Sequence, residues 1–74
     1  MGVHSTAIID KTTEIGQGVE VGPYAVIGPK NKIGDGTVIG PHVLIDSYTK
    51  IGKNCKIGQN VFIDIFFGNC FYFF

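Results

Sequence analysis

The chain has 74 residues, six of them Lys, none Arg, and six acidic, so its formal charge is zero. A balanced chain has no electrostatic reason to bind nucleic acid or an anionic membrane, and it lacks the guanidinium forks that grip phosphate in two places. Cys55 and Cys70 form no Cys-x-x-Cys pair and have no His cluster beside them, which argues against structural zinc and a disulfide framework and suits a reducing cytosol.

The N-terminus, from Met1 to Thr6, has no basic stretch followed by an apolar run, so no signal peptide is read there. From Val3 onward an aliphatic residue returns every sixth position. The first three are Val3, Ile9 and Ile15, and the next three are Val21, Ile27 and Ile33. Ile39, Ile45 and Ile51 follow, and Ile57 and Ile63 close the series of eleven. The residue after each is Gly seven times and Asp three times (Asp10, Asp46, Asp64), with His4 at the start. Two residues before each, the side chain is small in most hexads, as in Ala7, Thr13, Val19, Ala25, Thr37, Val43, Thr49, Cys55 and Val61; Asn31 is the polar, bulkier exception.

A period of six is neither the 3.6 of a helix nor the 2 of a long strand. It fits short strands, each ended by a two-residue bend, with three strands closing a triangular coil of eighteen residues. Residues eighteen apart then stack one strand spacing apart, about 4.8 Å. The predicted fold is all-β, a parallel β-helix of about three and a half coils over residues 1–64. β-Branched residues suit its flat stacked columns, and the small second inward residue keeps a narrow prism from overfilling. Gly, with Asp in its place, suits the tight backbone approaching each bend. Pro23, Pro29 and Pro41 fall at the first bend position, where a missing N–H does little harm. Outward, Glu14, Lys32 and Lys50 share a column, as do Glu20 and Lys56, and Asp35 and Lys53.

Residues 65–74 break the pattern. The aliphatic due at 69 is Asn69, and all six Phe lie between Phe62 and Phe74. This stretch is read as a non-repeat aromatic tail, either the product of a frameshift or truncated gene, the favoured reading, or a hydrophobic cap over the open prism. It is too short to span a bilayer, which takes about 20 apolar residues.

The opening His4-Ser5-Thr6-Ala7-Ile8-Ile9-Asp10 resembles the His-Pro-Thr-Ala-Ile-Val start of the acyl-carrier-protein–UDP-N-acetylglucosamine O-acyltransferases, with Ser5 in place of Pro. The runs Val21-Gly22-Pro23-Tyr24-Ala25-Val26-Ile27-Gly28-Pro29, Ile33-Gly34-Asp35-Gly36-Thr37-Val38-Ile39 and His42-Val43-Leu44-Ile45-Asp46 fit that family too, and the likeness continues to about Ile63. The resemblance implies a left-handed coil, although parallel crossovers are normally right-handed. It implies transfer of a β-hydroxyacyl group from acyl carrier protein to the 3-hydroxyl of UDP-N-acetylglucosamine, the first step of lipid A biosynthesis. It also implies a cytoplasmic homotrimer with active sites between neighbouring β-helices, and no cofactor or metal.

The family's catalytic base is a His of later coils, and its substrate loop has an Asn-Gln-Asp-Leu-Lys-Tyr-like run. Neither is found here, so the chain reads as an N-terminal fragment, inactive alone, with no catalytic or metal residue assigned and the substrate-binding residues unknown. His4 and His42, 38 residues apart, are read as structural or surface groups, and Cys55 as inward packing. Asp46 and Gln59 are polar residues that fit a cleft. Competing readings are another hexapeptide acyltransferase, whether the N-acyltransferase of the later lipid A steps or a small-molecule acetyltransferase, and a non-catalytic β-helix scaffold.

Overall fold

The computed structural model describes residues 2–64 and the backbone of 67–68 and 72–73. The chain winds through two-residue strands. The first coil carries β1 (Gly2–Val3), β2 (Ile8–Ile9) and β3 (Glu14–Ile15). The second carries β4 (Glu20–Val21), β5 (Val26–Ile27) and β6 (Lys32–Ile33). The third carries β7 (Val38–Ile39), β8 (Leu44–Ile45) and β9 (Lys50–Ile51). Beyond it come β10 (Lys56–Ile57), β11 (Phe62–Ile63), β12 (Phe67–Gly68) and β13 (Tyr72–Phe73).

Every pairing is parallel and joins a strand to its counterpart one coil on, which makes three sheets: A (β1-β4-β7-β10-β13), B (β2-β5-β8-β11) and C (β3-β6-β9-β12). No helix is present among the described residues. From β1 to β11 the register is an offset of eighteen, as in Val3↔Val21, Ile27↔Ile45 and Ile33↔Ile51. The predicted columns are therefore the observed ones, including the outward stack of Glu14 on Lys32 on Lys50.

The core is the set of inward aliphatics. Val21, Ile27, Ile33, Ile39, Ile45, Ile51, Ile57 and Ile63 are buried, and Val19, Ala25, Val43 and Cys55 fill the second inward position. Full burial of each large aliphatic contributes about 1.5–3 kcal/mol. The first coil is stacked on one side only, which leaves Val3 exposed and Ile9 and Ile15 half-buried.

Asn31 belongs to this interior as a hydrogen-bonding member. It is 2% exposed. Its Nδ2 donates to Gly28 O at 2.9 Å and Asp46 O at 2.6 Å, and its Oδ1 accepts Thr49 N at 2.7 Å. Thr13 below it donates Oγ1–H to Gly28 O and accepts Asn31 N, and Thr49 above donates Oγ1–H to Asp64 O. The column Thr13–Asn31–Thr49 therefore ties each coil to the next, and no buried side-chain polar atom lacks a partner among the described residues. Thr37 repeats the device, donating to Gly52 O at 2.7 Å and accepting Cys55 N.

The glycines after the aliphatics are required by close stacking. A Cβ on Gly34 would sit 2.6 Å from the carbonyl carbon of Gly52, with no room for it.

The predicted tail of residues 65–74 falls largely outside the described residues. What is described there is backbone pairing: Phe67 pairs with Lys50 and Tyr72 with Lys56, offsets of seventeen and sixteen in place of eighteen. Successive strands from β11 to β13 are spaced five residues apart, not six.

Candidate functional site

Strands of two residues leave most polar side chains to the three corners. Each corner has a second bend residue with positive φ, and these recur every six positions: Gly18, Tyr24, Lys30, Gly36, His42, Tyr48, Asn54 and Asn60, between 55° and 73°. Pro before Tyr24, Lys30 and His42 gives the combination of a type II turn. A non-Gly residue in this region costs roughly 1–2 kcal/mol. The backbone N–H of each is held by the coil before: His42 N donates to Pro23 O at 3.0 Å, Asn54 N to Asp35 O at 2.8 Å and Asn60 N to Pro41 O at 3.1 Å. Sequence reasoning placed the special backbone at the Gly that follows each aliphatic, whereas the left-handed residue comes two positions later. Gly18, Gly36, Asn54 and Asn60 share that phase and were the available signal.

The first coil solves the same corner differently. Thr6 and Thr12 are absent from the positive-φ set, and their hydroxyls take over the carbonyl's task. Tyr24 N donates to Thr6 Oγ1 at 2.9 Å, and Lys30 N to Thr12 Oγ1 at 3.0 Å. Each Thr is oriented by the residue two before it. Asp10 Oδ1 accepts Thr12 N at 2.9 Å and Thr12 Oγ1–H at 2.6 Å. His4 Nδ1 accepts Thr6 N at 3.2 Å and lies 2.8 Å from Thr6 Oγ1. A ring nitrogen that accepts carries no proton, so this geometry places the proton of neutral His4 on Nε2. The two hydrogen bonds from Thr12 hold the Asp10 carboxyl below its ordinary value of 3.8.

The candidate residues do not converge. His4 is at the end of β1 in the first coil, and His42 is at a corner of the third, its ring stacked on Tyr24 with centroids 5.3 Å apart and planes at 19°. Asp46 accepts Ser47 N at 2.9 Å at a different corner. Gln59 does border a hollow of about 430 Å³, which Val38, Gly40, Pro41, Lys56 and Ile57 also line. Its walls are mostly apolar, with one ammonium and one amide, the makeup of a small-molecule site. Cys55 is buried, its Sγ 3.6 Å from Lys53 O. Among the described residues no three His, Cys, Asp or Glu side chains cluster as metal ligands do, and no helix is long and apolar enough to cross a membrane.

A prism of six-residue repeats with small inward residues is the mark of one enzyme superfamily. The profile of the bacterial transferase hexapeptide family (six repeats) matches residues 12–47 and 36–64, and the chain belongs to that family. Within it, the chain is similar to the UDP-N-acetylglucosamine O-acyltransferase LpxA of Moraxella catarrhalis RH4: 43% identity over 85% of this chain, with a TM-score of 0.82. It is also similar to LpxA of Acinetobacter baumannii, at 46% identity over 77% of this chain and a TM-score of 0.73. The chain spans 24% and 22% of the lengths of those two proteins. A coil of opposite hand would not superpose so well, so the winding is that of these acyltransferases, the left-handed sense that the resemblance implies. No curated protein matches the chain in sequence.

Proposed function

We propose that the chain forms the front coils of an O-acyltransferase that moves a β-hydroxyacyl group from acyl carrier protein to the 3-hydroxyl of UDP-N-acetylglucosamine. The observation that carries this is the superposition on Moraxella catarrhalis LpxA at 43% identity with a TM-score of 0.82. In this reading the whole enzyme is a cytoplasmic homotrimer of lipid A biosynthesis, and these coils are scaffold. A general base must stand within hydrogen-bond reach of the proton it takes. His42 is committed to a ring stack and His4 Nδ1 to Thr6, so the base is assigned to coils this chain does not contain, and the chain alone transfers no acyl group.

A graft tests the reading. Residues 4–63 replace the corresponding coils of the Moraxella enzyme, and acyl transfer from acyl carrier protein to UDP-N-acetylglucosamine is measured. Turnover within about tenfold of the parent, a loss of 1.4 kcal/mol or less in transition-state stabilisation, is expected. A folded trimeric graft with background turnover would contradict the assignment. So would robust turnover by the 74-residue chain alone.

A further inference from the structure

The prism is amphipathic across its width. The outward column of sheet B is Ile8, Val26, Leu44 and Phe62, with no charge in it, and these four are between 37% and 63% exposed. The outward columns of the other sheets carry Glu20 and Lys56, and Glu14, Lys32 and Lys50. The two corners that flank sheet B hold the exposed rings of Tyr24, stacked with His42, and Tyr48, with Lys30 Nζ 5.9 Å from its centroid. Among the described residues, every exposed large hydrophobic except Val3 lies on this one face or its two edges. The opposite corner presents Gln17, Asp35, Lys53 and Asn54, all exposed.

We propose that the outer face of sheet B is the surface on which a second copy of this chain packs. An apolar centre with a polar rim is the anatomy of a protein–protein interface; here the rim on one side carries Asp10, Asp46 and Asp64 beside Lys11 and Lys30. Monomers rarely leave so continuous an apolar patch in water. The area suits a second copy. One side of a three-sided prism with two ends is about a quarter of its 4507 Å² surface, so two copies that each cover one side remove up to about 2,000 Å², the size of a stable interface. The pitch suits it as well: four side chains rise in steps of about 4.8 Å, and another copy's face offers the same ladder. Three carboxylates on the rim and a net charge of zero give no attraction to an anionic lipid surface.

The inference deepens the oligomer reading given above, but its readout is mass rather than turnover, so failure of one leaves the other standing. The full chain is studied by sedimentation velocity, with circular dichroism to report the fold. Wild type is expected as discrete dimers or trimers. Leu44→Lys and, independently, Val26→Lys are expected to shift these to monomer with the β-sheet signal kept, while Val38→Lys on sheet A leaves the mass unchanged. If either sheet B variant unfolds, Val26→Cys in an otherwise unchanged chain gives a second readout: it forms an intermolecular disulfide under mild oxidation, and Val38→Cys does not. A monomeric wild type would overturn the proposal, as would association that folded Leu44→Lys and Val26→Lys leave intact, which would place contact at the open coil ends. A monomeric wild type that pellets with neutral phosphatidylcholine vesicles would reassign the face to lipid.

Discussion

Asn31 Oδ1 accepts the backbone N–H of Thr49 at 2.7 Å, one full coil away in a column that is otherwise threonine. The amide does more than a hydroxyl there, since its Nδ2 also reaches the carbonyls of Gly28 and Asp46. A threonine keeps the essential pattern, because Thr13 already serves Gly28 O and a hydroxyl at position 31 has the geometry by which Thr37 joins Gly52 O to Cys55 N.

Asn31→Thr is therefore expected to change stability by no more than about 1 kcal/mol, whereas Asn31→Val strands the Thr49 N–H and the Asp46 carbonyl in the interior. Each buried group left without a partner costs about 1–3 kcal/mol, so the valine variant should lose roughly 2–4 kcal/mol. Urea titration of the three proteins side by side tests the ordering. A valine variant as stable as wild type would mean that the column is held by packing alone.

The glycines separate two kinds of constraint. Gly34 carries no positive φ, but a Cβ there meets the Gly52 backbone at 2.6–2.7 Å, while a Cβ on Gly28 meets Ile45 and Asp46 at 3.2–3.3 Å. Gly18 has the reverse problem: φ is +70°, and the nearest atom lies 4.0 Å away. Gly34→Ala must move one coil off the next and is expected to cost 3 kcal/mol or more, at or beyond the upper end of the roughly 1–3 kcal/mol usual for overpacking. Gly18→Ala should cost about 1–2 kcal/mol from the left-handed backbone alone. Gly28→Ala should be the mildest, at about 1 kcal/mol or less on the same overpacking scale. Thermal midpoints of the three variants check the order, and equal shifts would show that coil spacing is not what selects glycine.

How much of this was legible in the sequence follows from what periodicity encodes. A side chain's inward or outward direction is fixed by its phase, so the columns Val3–Val21–Ile39–Ile57 and Glu14–Lys32–Lys50 could be read from residue numbers, and so could burial of Cys55 and Thr37. The purpose of Asn31 could not, because its partners are backbone carbonyls that only the assembled corner brings within reach. The same holds for Thr6 and Thr12, whose hydroxyls stand in for carbonyls of the bend. The apolar face of sheet B was present as Ile8, Val26, Leu44 and Phe62 at intervals of eighteen, but attention to the inward phase hid the outward one. The sites were the least legible part. His42 and Asp46 look chemical in isolation, and geometry gives them to a ring stack and a bend.

The first coil is expected to show an acid-sensitive corner. Asp10 is held below 3.8 by the Thr12 hydroxyl and N–H. A carboxyl whose folded pKa is depressed adds stability that is fully present above its unfolded value, and that stability is lost as pH falls through the folded one. The corner should stay intact at pH 5 and loosen below 3.8, releasing Thr12, whose Oγ1 accepts Lys30 N. The Thr12 and Lys30 amide resonances, followed by NMR from pH 6 to pH 2, should move together with one midpoint below 3.8. In Asp10→Asn the side-chain acceptor remains and cannot titrate, so both resonances should lose that transition. If the midpoint lies at or above 3.8, or if Lys30 does not follow Thr12, the relay from carboxylate to hydroxyl to the next coil does not operate.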